Sequence, residues 1–208
     1  MDTAELFAGK KSFSKVAATL GHSTLTFELD DRFEPHHCVD ILTMPTSLVP
    51  YGLDMLWASP PCQAFSVAAI GKNWNHNNTP RTQSARLGAA LVRKTIQIIE
   101  KRRPVWWFIE NPRGKLRKLH FMQNFTRRTV TYCQYGDTRM KPTDIWTNAW
   151  WWRPREMCSN GSSCHEAAPR GAKTGTQGIK GGTDRSLIPA AVFQEIFHQY
   201  ASHLRAAA

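Results

Sequence analysis

Three places in the 208-residue chain combine residue types able to do chemistry. In Ser59-Pro60-Pro61-Cys62-Gln63 a thiol follows two prolines, which restrict the backbone and hold the side chain in place. In Glu110-Asn111-Pro112 a carboxyl group, a carboxamide and a rigid residue stand together. In Cys158-x5-Cys164-His165 two thiols and an imidazole have a spacing that zinc can bridge once Cys133 or another histidine supplies a fourth ligand. The plainer reading of this third group is unliganded thiols on a loop. A lone cysteine is commonly inert packing, so what Cys62 can do depends on where the chain puts it.

Leu53, Met55, Leu56, Trp57 and Ala58 form an apolar run that stops at Ser59-Pro60-Pro61. This predicts a buried strand whose carboxyl end turns out into a loop carrying Cys62. Val105–Ile109 (VWWFI) is a second such run, typical of a central parallel strand. It ends at Glu110-Asn111-Pro112, so a second loop with ionisable chemistry is expected there. In an open α/β sheet, ligands bind in the crevice at the carboxyl ends of the strands.

Upstream, Ala4–Gly9 predicts a strand, Phe13, Val16, Ala17 and Leu20 a helix ending at Gly21, and Thr24–Leu29 a strand ending among Glu28, Asp30 and Asp31. His37–Leu42 repeats the scheme with Asp40. Strand, helix, strand and acid is the layout of a nucleotide site, in which backbone near Gly9 approaches the ligand and the acid holds ribose hydroxyls. Gly9 followed by Lys10-Lys11-Ser12 also suits an ordinary βα turn. Further along, Gly71–Gln83 predicts a mobile loop and Ser84–Lys101 a helix with Leu87, Leu91, Ile98 and Ile99 as its apolar stripe. Gly114–Phe125 predicts a basic helix, Thr129–Cys133 and Asp144–Asn148 strands, and Pro189–Leu204 an amphipathic helix. The expected organisation is a core over 1–148, a Cys-, Gly- and Lys/Arg-rich insert over 149–187, and a terminal helix over 188–208 packing back on the core.

The 27 Lys and Arg against 16 Asp and Glu give a formal charge of +11, which points to a polyanionic partner. No run has the length of a transmembrane helix, and MDTAELFAG lacks the pattern of a signal peptide, so a cytoplasmic protein is expected. In that compartment five cysteines do not imply a disulfide framework.

Taken in order, LFAG (6–9), the acid after the second strand, SPPCQAFS (59–66), FIENP (108–112), QYGDTRMKPTDIW (134–146) and the closing RSLIP (185–189) resemble the DNA cytosine-C5 methyltransferase family, most closely its short phage-encoded type. The resemblance implies a Rossmann-like, S-adenosylmethionine-dependent methyltransferase fold, α/β with a mostly parallel sheet flanked by helices. It implies Cys62 as the thiolate that adds to C6 of cytosine, making C5 nucleophilic. Glu110 is then the buried acid that hydrogen-bonds N3, with Asn111 and Pro112 shaping its loop. Phe7, Ala8 and Gly9 would flank the methionine part of the cofactor, Glu28 (or its rival Asp30) the ribose, and Asp40 the adenine amine. Leu29, Pro60 and Ser186 complete the implied cofactor set.

The chain departs from the family at three points. The glycine-rich first loop is Gly9-Lys10-Lys11-Ser12, and paired arginines are replaced by Arg139, Lys141 and Thr143, of which Arg139 and Lys141 are expected to grip the flipped nucleotide or its phosphate. Only about forty residues separate Asn148 from the last helix, too few for a target-recognition domain. DNA methylation in a short or relaxed sequence context is therefore expected, with affinity coming from phosphates and RNA not excluded. The basic Pro169–Gly182 could follow a phosphate backbone, and Trp150-Trp151-Trp152 could stack a base or pack on the sheet. For a phage-type enzyme the family implies protection of its DNA from restriction. Two rival readings are an amino (N4/N6) DNA methyltransferase, suggested by Ser59-Pro60-Pro61, and a nucleic-acid-binding protein that kept the fold without catalysis.

Overall fold

The computed structural model describes residues 1–166 and 186–207. Seven strands form one sheet: β1 (Asp2–Leu6), β2 (Ser23–Glu28), β3 (His37–Cys38), β4 (Met55–Ala58), β5 (Trp106–Pro112), β6 (Arg127–Thr131) and β7 (Pro142–Thr147). Their order is β3-β2-β1-β4-β5-β7-β6, parallel except for β7, which runs antiparallel to both neighbours. The expected mostly parallel α/β architecture is present.

Strand alternation feeds two apolar layers. From β4 and β5, Leu56, Ala58, Trp107 and Ile109 face a core completed by Leu91, Val92 and Ile98 of α3 (Gln83–Arg102). Met55, Trp57 and Phe108 face the other core, built with Phe13, Val16 and Ala17 of α1 (Ser12–Thr19) and Val192, Phe193 and Ile196 of α4 (Ala190–Ala207). The central strands are covered on both faces, which is why their sequences read as unbroken apolar runs. Because β1 separates β2 from β4, the strand order reverses beside it, and the crevice at this switch point lies over the carboxyl ends of β1 and β4.

Several elements differ from expectation. β3 is two residues long, because the Asp40 side chain accepts the Leu42 N–H (2.9 Å) and starts a turn. Within Gly71–Gln83 the chain forms the end of α2 (Ile70–Asn73) and buries Trp74, whose Nε1–H donates to the Ala64 carbonyl at 2.7 Å. Leu87 is 48% exposed; the buried face of α3 instead runs through Ala85, Gly88, Leu91, Val92, Thr95 and Ile98. Gly114–Phe125 is no α-helix but two 3-10 turns, Leu116–Lys118 and His120–Met122. Its buried residues Leu116, Leu119 and Met122 recur every third position, the period of a 3-10 helix. β6 ends at Thr131, where a 3-10 turn over Tyr132–Tyr135 begins. Trp151 and Trp152 pack in the core, Trp152 edge-on to Phe108, while Trp150 is 63% exposed. Pro169–Gly182 lies outside the described residues.

Glu5 ties β1 to α1. Its buried carboxyl group accepts the Phe13 (3.2 Å) and Ser14 (2.9 Å) N–H groups, capping the helix from the neighbouring strand. Burial pushes the Glu5 carboxyl up to about 7 despite these hydrogen bonds. A carboxyl raised on folding stabilises fully below its unfolded pKa, and the contribution is lost as pH rises through the folded value. Stability should therefore fall by about 3 kcal/mol from this group alone between about pH 4.5 and 7.5. Urea unfolding across that range should show a flatter pH profile in Glu5→Gln; parallel profiles would refute the assignment.

Candidate active site at the strand ends

Beyond β4 the chain turns at Ser59-Pro60-Pro61 and makes a tight turn in which the Cys62 carbonyl accepts from Phe65 (3.0 Å) and Ser66 (3.1 Å). Cys62 is partly exposed there, between buried Pro60 and buried Ala64. The loop is fastened from two sides. The Asn111 Nδ2 donates to the Pro60 carbonyl at 2.9 Å, and the Lys115 N–H to the Phe65 carbonyl at 2.8 Å.

That second fastening explains Gly114. A Cβ on Gly114 would stand 2.2 Å from the Phe65 carbonyl oxygen, an impossible approach to backbone. Gly114→Ala must therefore displace either its own segment or the Cys62 loop. Misplacing a reacting group by about 1 Å costs on the order of 10²-fold in rate. Catalytic activity of Gly114→Ala should fall by about that factor with little change in far-UV circular dichroism; a variant as active as wild type would remove the argument.

Glu110 and Asn111 lie within β5, not on a loop after it, because β7 pairs with the strand as far as Pro112. Glu110 is 6% exposed on the same face as Phe108. The Tyr132 hydroxyl donates to Glu110 Oε1 at 3.1 Å, and the Ser59 side chain also hydrogen-bonds Glu110 while accepting the Trp57 Nε1–H at 2.8 Å. Burial raises the Glu110 carboxyl above its ordinary range, with Lys141, Tyr132 and Ser59 opposing. Lys141 is itself buried, its Nζ 4.6 Å from the Tyr132 ring centroid, and it interacts electrostatically with both Glu110 and Cys62. Burial lowers the Lys141 ammonium from its ordinary range, although the negative charge of Glu110 opposes this. Arg139 folds onto Asp137 through its backbone N–H (2.9 Å) and Nε (2.7 Å). Cys62, Glu110, Asn111 and Lys141 are thus tied together; Ser59, Tyr132 and Gly114 join them. Sequence reasoning missed the roles of those three, which follow from cross-strand contacts that no local pattern encodes.

At the ends of β1 and β2, the turn Phe7–Lys11 has positive φ at Phe7 (58°), Gly9 (44°) and Lys11 (59°). Its Ala8 N–H donates to the Phe27 carbonyl (3.1 Å) and its Gly9 N–H to Glu28 Oε2 (2.9 Å), while Glu28 Oε1 accepts from Leu29 (2.8 Å) and Asp30 (3.3 Å). Asp30 instead ion-pairs with Arg32, which separates the two rival acids: only Glu28 meets the Gly9 turn. Leu29, 67% exposed, offers apolar surface beside Glu28. These groups fit a nucleoside, since the Glu28 oxygens retain acceptor capacity for hydroxyls and Asp40 stands at the end of β3. Ser186 is exposed ahead of α4. Elsewhere, Cys133 on the Tyr132–Tyr135 turn meets Cys158, Cys164 and His165, with all four ligand atoms within 4.8 Å of one another.

A family model of C-5 cytosine-specific DNA methylases matches residues 2–127, from β1 to the start of β6. The chain is 29% identical over 212 residues to the "Probable DNA (cytosine-5)-methyltransferase" of Frog virus 3 (isolate Goorha), covering 92% of this chain and 96% of that protein. Among solved structures it resembles a "putative DNA modification methyltransferase encoded within prophage Cp" (E. coli), with a TM-score of 0.52 and 16% identity over 71% of this chain and 46% of that one. For Spodoptera frugiperda DNMT2 the TM-score is 0.47, with 17% identity over 74% of this chain and 53% of that one. The chain spans about half the length of these solved structures.

Proposed function

The chain belongs to the C-5 cytosine-specific DNA methylase family, and from that premise we propose how its residues divide the transfer of a methyl group from S-adenosylmethionine to C5 of cytosine in DNA. The observation that carries this reading is the convergence of the Cys62 loop with buried Glu110 at neighbouring strand ends, joined by Asn111 and Ser59.

Cys62 adds as thiolate to C6 of a cytosine swung out of the helix, since a stacked base offers neither C5 nor C6 to an in-line approach. The nearby Lys141 ammonium favours that thiolate. Glu110, whose carboxyl burial raises against the opposing effects of Lys141, Tyr132 and Ser59, donates its proton to N3 as negative charge develops in the ring. Asn111 keeps the Cys62 loop against β5 by holding the Pro60 carbonyl. S-adenosylmethionine, when bound, would supply the electrophilic methyl group to C5 and leave as S-adenosylhomocysteine; the C5 proton then passes to water, N3 returns its proton to Glu110, and the Cys62 thiolate is expelled as the aromatic ring is restored. Glu28 holds the ribose and Asp40 the adenine amine, while Phe7, Ala8, Gly9, Leu29 and Pro60 line the approach to the methyl group. Arg139 contacts the flipped nucleotide or its phosphate.

About forty residues lie between Asn148 and α4, so phosphate contacts from the basic surface dominate and sequence context is short. Incubation of the protein with labelled S-adenosylmethionine and double-stranded DNA, followed by digestion to nucleosides, should place the label in 5-methylcytosine. Label in N4-methylcytosine or N6-methyladenine, or label on RNA alone, would reject the assignment. Bisulfite sequencing of the product should show no shared motif longer than about four bases, since phosphate contacts carry no sequence information.

A further inference from the structure

We propose that Cys133, Cys158, Cys164 and His165 form a structural zinc site that fixes the turn carrying Tyr132, the residue whose hydroxyl donates to Glu110. Bound zinc lies about 2.3 Å from thiolate sulfur and about 2.0 Å from imidazole nitrogen, so tetrahedral ligands stand about 3.8 Å apart for sulfur pairs and about 3.5 Å for sulfur and nitrogen. The separations found are 3.3 Å for Cys133–Cys158 and 3.7 Å for Cys133–Cys164, with 3.4 Å and 3.6 Å from the His165 Nδ1 to Cys158 and Cys164. All five cysteines are free thiols, and three sulfurs with one imidazole match a closed Cys3His set. A disulfide would use two of the thiols and leave the third and the imidazole gathered for no purpose.

The surrounding chain gives the metal its role. Residues 152–166 contain no helix or strand and no core of their own beyond Trp152. They reach the rest of the protein through polar contacts, including Arg155 N–H to the Tyr135 hydroxyl (3.0 Å), Cys158 N–H to Thr131 Oγ1 (3.0 Å) and Glu166 N–H to the Thr138 carbonyl (2.8 Å). A four-ligand metal would pin this segment to the turn over Tyr132–Tyr135, because Cys133 sits on that turn. Tyr132, one residue earlier, donates to Glu110. Binding releases the thiol protons and holds in one arrangement the turn that positions Tyr132.

Elemental analysis tests the site independently of methyl transfer. Protein made in zinc-supplemented medium and purified without chelator should hold about one zinc per chain. Cys158→Ser should lose most of it, Cys38→Ser, on the distant strand β3, should keep it, and His165→Cys should keep it on four thiolates. Cobalt(II) in place of zinc should give the visible absorption of a tetrahedral thiolate site, absent in Cys158→Ser. Less than about half an equivalent in the wild type, full retention in Cys158→Ser, or loss in a His165→Cys variant with native circular dichroism would each overturn the proposal, as would iron in place of zinc.

Discussion

Cys62→Ala is expected to lower methyl transfer to cytosine by at least about 10⁴-fold while leaving affinity for S-adenosylmethionine and the far-UV circular dichroism unchanged. The size follows from the reaction. Without addition at C6, C5 of cytosine lacks the electron density to attack a methyl group, and no neighbouring side chain repairs that deficit. The expectation of an intact fold rests on the loop itself: its turn is closed by backbone hydrogen bonds from Phe65 and Ser66 to the Cys62 carbonyl, and it is anchored through Asn111 and Lys115. None of these uses the thiol. With 5-fluorocytosine-containing DNA, in which C5 cannot lose a proton, wild type should accumulate a covalent complex stable to denaturing gel electrophoresis and Cys62→Ala none. A complex formed equally by the variant would place the nucleophile elsewhere.

Glu110→Gln should cost about 10²- to 10⁴-fold in kcat, the usual worth of a positioned general acid, with little change in KM for S-adenosylmethionine. The carboxamide can still hydrogen-bond the cytosine ring but cannot pass a proton to N3 as charge develops. The pH dependence separates this role from mere packing. Burial raises the Glu110 carboxyl, against the opposing effects of Lys141, Tyr132 and Ser59, so the protonated form persists above the ordinary carboxyl range. Activity that needs the proton declines as pH climbs through that raised value, and this alkaline limb should be missing from Glu110→Gln. A variant retaining the same limb would assign it to another group.

Both residues stood out in the sequence because each follows an apolar run that reads as a central strand, and their roles came from the ordered motifs that resemble the family. Hydrophobic period likewise found the strands, α1, α3 and α4, while the Cys-x5-Cys-His spacing singled out Cys158, Cys164 and His165, which the structure brings together with Cys133. What hydrophobic period could not supply was everything decided between segments. Glu110 remains in β5 because β7, over thirty residues later, pairs with it antiparallel. Gly114 is required because its backbone passes against that of Phe65. Tyr132 meets Glu110 only because β6 joins the sheet through β7. Glu28 and Asp30 are told apart only in the fold, where Glu28 accepts from the Gly9 turn and Asp30 is taken by Arg32. The ordered motifs, through the family they resemble, therefore pointed to the chemistry the chain carries, and periodicity to the strands that end beside it. Tertiary pairing determined how that chemistry is tuned, because the burial that raises Glu110 and the contacts that hold Cys62 arise between residues distant in the chain.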